Sequence, residues 1–119
     1  MRKIIHADNS EFFRKQVKIF LNEQALEVES YSTGTEVIEA INKGDVSLLI
    51  TGLAFADIEG VDFIKRIVGC PYVVPIIILT AVQDPKMEHI LNELGIKAHV
   101  LKSSAWQEQL LPLLNQLLR

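Results

Sequence analysis

Five short apolar runs alternate along the chain with five longer segments whose apolar residues recur every three or four positions. The short runs occupy residues 3–7, 26–31, 46–51, 75–80 and 98–101. Runs rich in β-branched residues, such as Ile76-Ile77-Ile78, favour buried strands, whereas a spacing of three and four indicates amphipathic helices. The alternation predicts an α/β fold: a doubly wound parallel sheet with helices on both faces.

Capping residues mark where these helices begin and end. Candidate N-terminal caps precede the first, fourth and fifth helices: Asn9 or Ser10, then Thr80 and Asp84, then Ser103 or Ser104. Pro85 is well placed in the first turn of the fourth helix, because its fixed φ suits that position. Gly44 and Gly95 stand just past the second and fourth helices, where glycine is favoured.

Length and composition limit the classes of protein to which the chain can belong. The sequence has 119 residues, which predicts a single domain over residues 1–119. Its 12 basic and 15 acidic residues give a formal charge of −3, and the basic residues are scattered. We therefore expect no direct binding to nucleic acid. The apolar runs are too short to cross a membrane, so we expect a cytoplasmic domain without membrane contact.

In a doubly wound sheet the functional crevice lies beyond the carboxyl ends of the strands. The residues at those ends are Asp8-Asn9, Gly52 in the segment 51–57, Thr80-Ala81 and Lys102-Ser103. We therefore expect the functional crevice of this chain to be lined by these residues.

These residues, at these spacings, resemble the receiver domain of response regulators in two-component signalling, and the resemblance extends over the whole chain. It implies a flavodoxin-like (βα)5 fold with strand order 2-1-3-4-5. It also implies roles: Asp8 and Asn9 match an acidic pair that helps to bind Mg²⁺, Thr80 a Thr or Ser hydroxyl, and Lys102 a phosphate-contacting lysine. His99 matches the position of a switch Tyr or Phe.

The position of the phosphoacceptor aspartate departs from the family pattern. Gly60 matches the glycine that opens the third helix, and counting back from it places Gly52 at the acceptor position. A carboxylate nucleophile is needed there, and glycine has no side chain. The resemblance therefore implies a degenerate pseudo-receiver that is not an enzyme and holds neither metal nor cofactor. With no acid at position 52, Lys102 is expected to pair with Asp8.

The last helix predicts a contact surface. Its six leucines spread over an arc of about 160°, which is wider than one face of a sheet needs. Together with the resemblance, this favours a surface formed by the fourth helix, fifth strand and fifth helix. Its expected residues are Ile90, Leu94, Trp106, Leu110, Leu114 and Leu117. The alternative is that Pro112 ends or kinks the helix, so that its two halves bury different faces.

The sequence thus predicts a signalling module that contacts a protein partner, or a second copy of itself, without phosphorylation. This interpretation also allows an output domain beyond Arg119 in a longer natural protein. Two alternatives stay open. One is a working, Mg²⁺-dependent receiver whose acceptor is Asp57 or Asp8. The other is a flavodoxin-like domain that binds a small ligand at the strand ends.

Overall fold

The computed structural model describes residues 3–118, and these form five strands and five helices in alternation. The strands are β1 (Ile4–Ala7), β2 (Val28–Tyr31), β3 (Leu48–Thr51), β4 (Ile76–Thr80) and β5 (Ala98–Leu101). The helices are α1 (Glu11–Glu23), α2 (Gly34–Asn42), α3 (Gly60–Val68), α4 (Pro85–Glu93) and α5 (Trp106–Leu117). Each strand lies within the run that predicted it. Within residues 3–118, no helix is long and apolar enough to cross a membrane.

All five strands are parallel and lie in the order β2-β1-β3-β4-β5. The chain passes from β1 to the edge strand β2, then returns past β1 to β3 and continues to the other edge. Ala7 is aligned with Thr51, and Thr80 with Leu101, so that the carboxyl ends of the strands form one edge. The predicted fold class is confirmed. The reversal of direction beside β1 opens a crevice between the ends of β1 and β3.

Each face of the sheet carries its own apolar core, because successive strand residues point to opposite faces. Ile4 packs in the core formed with α1 and α5, whereas Ile5 packs in the core formed with α2, α3 and α4. Every residue of β1 and β3 is buried, as expected for central strands covered on both faces. The crevice is therefore built on the two most enclosed strands of the sheet.

The helix ends confirm some predicted caps and correct others. The Ser10 hydroxyl accepts a hydrogen bond from the Phe13 amide at 3.2 Å and caps α1. Gly44 and Gly95 adopt φ values of +84° and +89° past α2 and α4, a conformation in which a side chain would be strained.

Thr80 does not cap α4, because four residues separate it from the first turn. The carboxylate of Asp84 caps that helix, and the Thr80 hydroxyl bonds to Val82 instead. The predicted serine cap of α5 is also wrong. Its N-cap is Ala105, whose side chain cannot accept a hydrogen bond, and the Ser103 hydroxyl bonds only to the Ala105 amide.

More of α5 is buried than the arc of its leucines predicts. Three of the six residues expected on the contact surface lie in the core instead. Trp106, Leu110 and Leu114 are buried against the sheet, one turn apart, and cannot form a surface in this fold. The flanking residues Leu111, Leu113 and Leu117 are half-buried against the same core. The helix continues through Pro112, and its buried and half-buried leucines all pack against the same core.

His6 is an ionisable residue inside the core. It lies in the middle of β1 and is fully buried, and within the described residues neither ring nitrogen has a hydrogen-bond partner. The pKa of His6 is lowered from 6.5 to about 4, chiefly by burial; Asp8 acts in the opposite direction, and Lys102 and Arg14 add to the lowering. The imidazole is therefore neutral in the folded domain at neutral pH.

We predict that His6 makes the domain sensitive to acid. Because its pKa is lower in the folded chain than in the unfolded chain, stability is fully present above pH 6.5 and is lost as the pH falls toward 4. Between pH 7 and about pH 4.5, the linkage amounts to about 2 kcal/mol of unfolding free energy. Urea unfolding of wild type and His6→Leu at both pH values measures it.

The leucine variant should be as stable as wild type at pH 7, because the ring makes no hydrogen bond that leucine would lose. Its stability should fall less on acidification, and the difference between the two slopes isolates His6 from the carboxylates. Equal slopes would contradict the assignment.

Candidate functional site: the crevice at the strand ends

The strand register brings four of the predicted crevice residues together. The Gly52 amide donates to the Ala7 carbonyl at 2.9 Å, which places Gly52 beside Asp8. The Lys102 amide donates to the Thr80 carbonyl at 2.7 Å, which fixes the end of β5 against the end of β4. Asn9 is exposed at the rim, where the chain turns into α1.

An ion pair between Asp8 and Lys102 occupies the floor of the crevice. The Lys102 Nζ lies 2.5 Å from Asp8 Oδ2, and the two side chains are 18% and 2% exposed. The other carboxylate oxygen, Oδ1, accepts a hydrogen bond from the Ser10 amide at 2.9 Å. The predicted pairing of Lys102 with Asp8 is confirmed, and the Asp8 carboxylate is engaged on both oxygens.

The first turn of α1 completes the surroundings of this pair. Arg14 Nη1 donates to the Asp8 carbonyl at 2.7 Å, which closes the loop after β1. Phe13 lies beneath the lysine, with the Lys102 Nζ 4.4 Å from the centre of its ring. At that distance the ammonium is attracted to the ring face by a cation–π interaction.

Sequence reasoning missed Phe13 and Arg14. Their only signal is their place in the first turn of the helix that follows Asp8. That place brings them near the carboxylate but does not specify which atoms they meet.

Gly52 faces the crevice and is not required by the backbone. A Cβ placed on it would lie 3.8 Å from Asp8 Oδ2 and 3.6 Å from the Leu79 carbonyl, both ordinary contacts. Its φ is outside the left-handed region, unlike those of Gly44 and Gly95. A side chain at position 52 would therefore point toward Asp8, as the sequence register predicts for the acceptor position.

Asp57, the displaced acceptor of one alternative, is engaged in capping α2. Its Oδ1 accepts from the Gly34 amide at 3.1 Å, and its Oδ2 accepts from the Thr35 amide at 2.9 Å and from the Thr35 hydroxyl at 2.5 Å. These hydrogen bonds, chiefly those from Thr35, lower the pKa of Asp57 to about 2. The carboxylate thus fixes the loop between β3 and α3 to the start of α2.

The oxygen donors of the crevice do not fit a Mg²⁺ ion. Mg²⁺ needs carboxylates and waters in octahedral geometry, and the nearest carboxylate is neutralised by Lys102. Across residues 3–118, no group of three or more histidines, cysteines, aspartates or glutamates is arranged to hold a metal. A cation at Asp8 would first have to displace the lysine.

His99 lies on β5, aligned with Ile78 and half-buried on the face that carries α3 and α4. Its Nε2 lies 3.1 Å from the Ile96 carbonyl oxygen. A proton on that nitrogen would be donated to this oxygen, which belongs to the segment just before β5. The ring is thereby directed along its own strand segment and not toward Asp8.

The crevice and fold can be compared with known proteins. The family model of the response regulator receiver domain matches residues 4–114. The chain belongs to this family. In this receiver domain Asp8, Thr80 and Lys102 lie at the carboxyl edge of the sheet, with Gly52 beside Asp8. No match is found among curated proteins.

Solved structures of receiver domains share its fold. The chemotaxis response regulator CheY4 of Vibrio cholerae is 24% identical, with a TM-score of 0.82 and 98% of each chain covered. The BeF3-activated receiver domain of RstA from Klebsiella pneumoniae is 20% identical, with a TM-score of 0.88 and the same coverage. The beryllofluoride-activated NtrC4 receiver domain, described as a dimer, is 17% identical with a TM-score of 0.85, and 98% of this chain and 97% of that one are covered.

We predict that removing only the lysine of the ion pair between Asp8 and Lys102 destabilises the receiver domain. Lys102→Met leaves the buried Asp8 carboxylate without its counter-ion, and we expect a loss of about 3 kcal/mol of unfolding free energy at pH 7. Urea unfolding measures it. The double variant Asp8→Asn/Lys102→Met should recover most of that loss, because no charge remains buried.

Lys97→Met is the matched control, since Lys97 is an exposed lysine that directly precedes β5, at the end of the strand opposite the crevice. We expect this control to unfold like wild type. Equal effects of Lys97→Met and Lys102→Met would show that the pair contributes nothing.

Proposed function

We propose that this receiver domain in two-component signalling acts without accepting a phosphoryl group, as a non-enzymatic module that works through protein contact. The observation that carries the proposal is Gly52. It occupies the position that faces Asp8, and no carboxylate extends from it. Such a module needs no cofactor, and we expect it to act in the cytoplasm.

The other carboxylates near the strand ends are poor replacements for the missing acceptor. Phosphoryl transfer requires a free carboxylate oxygen beside a cation that neutralises the transferred group. Asp8 is buried and paired with Lys102, and Asp57 uses both oxygens to cap α2. Using either as nucleophile would break contacts that hold the loops of the crevice in place.

Exposure to a small-molecule phosphodonor tests this part of the proposal. Wild-type protein incubated with acetyl phosphate and MgCl₂ should show no phosphoryl adduct by intact-mass spectrometry. A phosphoryl adduct on wild type would overturn the proposal, and peptide mapping to Asp57 or Asp8 would establish the displaced-acceptor alternative. A small ligand retained on the purified domain in native mass spectrometry would favour the ligand-binding alternative.

A rebuilt acceptor serves as the positive control. Gly52→Asp/Asn9→Asp restores three carboxylates around the crevice, where Thr80 and Lys102 are already in place. The first atom of the new side chain at position 52 has room, because a Cβ there meets its neighbours only at ordinary contact distances. We expect this variant to gain an Mg²⁺-dependent adduct, while Gly52→Ala/Asn9→Asp should stay unmodified because it adds bulk without a nucleophile.

The proposed contact surface lies on α4, β5 and the end of α5. Ile90 is 39% exposed and Leu101 36% exposed, and Leu94 and Leu117 are half-buried. With Trp106, Leu110 and Leu114 assigned to the core, Ile90, Leu94 and Leu117 are what remains of the predicted surface. Leu101 of β5 was not predicted and is added to it. Apolar side chains exposed in this way on a domain of this size favour an interface. The NtrC4 receiver is itself described as a dimer.

We predict that Ile90→Glu abolishes self-association, because a carboxylate placed in an apolar interface must lose its hydration. Sedimentation of wild type should show a monomer–dimer equilibrium that shifts with concentration, whereas Ile90→Glu should stay monomeric with an unchanged midpoint of thermal unfolding. Ile19→Glu is the matched control, since Ile19 is 54% exposed on α1, away from this surface. A wild type that is monomeric at every concentration would exclude self-association and leave a different protein as the partner.

A further inference from the structure

The Lys102 side chain touches two parts of the domain that otherwise have separate roles. Its ammonium lies 2.5 Å from Asp8 in the crevice and 4.4 Å from the centre of the Phe13 ring on α1. Both contacts are made by the same ammonium nitrogen, Lys102 Nζ. The charge of Asp8 therefore helps to determine where the ammonium stands relative to Phe13.

Phe13 in turn belongs to a continuous group of aromatic rings between α1 and α5. Its ring centre is 5.2 Å from that of Trp106, and Trp106 packs edge-on against Phe20 at 5.4 Å. On the other side Phe13 lies 6.4 Å from the ring of His6 in β1. These distances are in the range in which aromatic rings attract one another. Trp106 is the first residue of α5, and Phe20 is in the last turns of α1.

We infer that Lys102 couples the charge in the crevice to the packing of α5 against α1. While Lys102 is paired with Asp8, the ammonium is held over Phe13 and stabilises the orientation in which Phe13 meets Trp106. When that pair is broken, the ammonium is free to turn toward solvent, and Phe13 and Trp106 lose that constraint. Because Trp106 begins α5, the change reaches the helix that ends at Leu117 on the proposed contact surface.

This coupling rests on the proposed function in one respect, which is that the crevice signals without a phosphoryl group. It gives such a domain a physical route from the strand ends to its contact surface, carried by one ion pair and two aromatic contacts. Lys102 acts here as a positioning residue, since it acts on α5 through Phe13.

The single tryptophan makes the coupling measurable, because the protein has one indole NMR signal. We expect the Trp106 indole ¹H–¹⁵N resonance to shift in Asp8→Asn and to shift in the same direction in Lys102→Met, because both variants remove the tethered ammonium from Phe13. Asn9→Ala is the matched control, since Asn9 is the exposed neighbour of Asp8, and its indole signal should coincide with that of wild type.

An unfolding double-mutant cycle between Lys102→Met and Phe13→Leu gives an independent measurement. The two substitutions should be non-additive by about threefold in the unfolding equilibrium constant, as expected for a partly buried cation–π pair. This measurement keeps the proposal testable even if one variant shifts the indole signal through a general loss of structure.

Two results would overturn the coupling: an unmoved indole signal in Asp8→Asn, and full additivity in the cycle. A shift confined to Lys102→Met would show that the lysine stem packs against Phe13 regardless of Asp8. The outcome is distinct from that of the phosphodonor experiment. A wild type that accepts a phosphoryl group would refute the proposed function, yet the indole signal of Asp8→Asn would still report on the coupling.

Discussion

The buried ion pair between Asp8 and Lys102 is the contact on which the rest of the crevice depends. A carboxylate that is 2% exposed must be compensated, and a lysine from the far strand supplies the charge. The pair joins the end of β1 to the end of β5 across two intervening strands. It also places the lysine ammonium over the Phe13 ring of α1, so that the chain's own cation balances the charge of Asp8.

The fold followed from the sequence because its signals are local and repeated. The Ile76-Ile77-Ile78 run and the spacing of Val17, Phe20 and Leu21 each specify an element without reference to the rest of the chain. The capping residues of α4 and α5 were harder to assign. Thr80 and Ser103 have the chemistry of caps, but the distance along the chain to the first helical turn decides which residue is used, and Asp84 is nearer.

The crevice residues that lie at the ends of strands could be predicted from the sequence. Asp8, Gly52, Thr80 and Lys102 lie at or directly after the ends of strands, and parallel strands bring their ends together. The packing of α5 was not predictable in the same way. The pattern of Leu110, Leu114 and their neighbours indicates an apolar helix, but how much of its surface is covered depends on the elements beside it. The role of Phe13 could not be predicted for a similar reason, because its contact with Lys102 depends on the conformation of the lysine side chain.

Asp57 gives the loop between β3 and α3 a support that is independent of the crevice. By capping α2, its carboxylate anchors the loop from outside, and no contact with residue 52 is needed to hold it in place. A side chain at position 52 is thus not required to hold this loop, because with a glycine there Asp57 still joins the loop to α2 and the Gly52 amide still bonds to Ala7. The architecture at this point in the fold is therefore separable from the identity of the side chain at position 52.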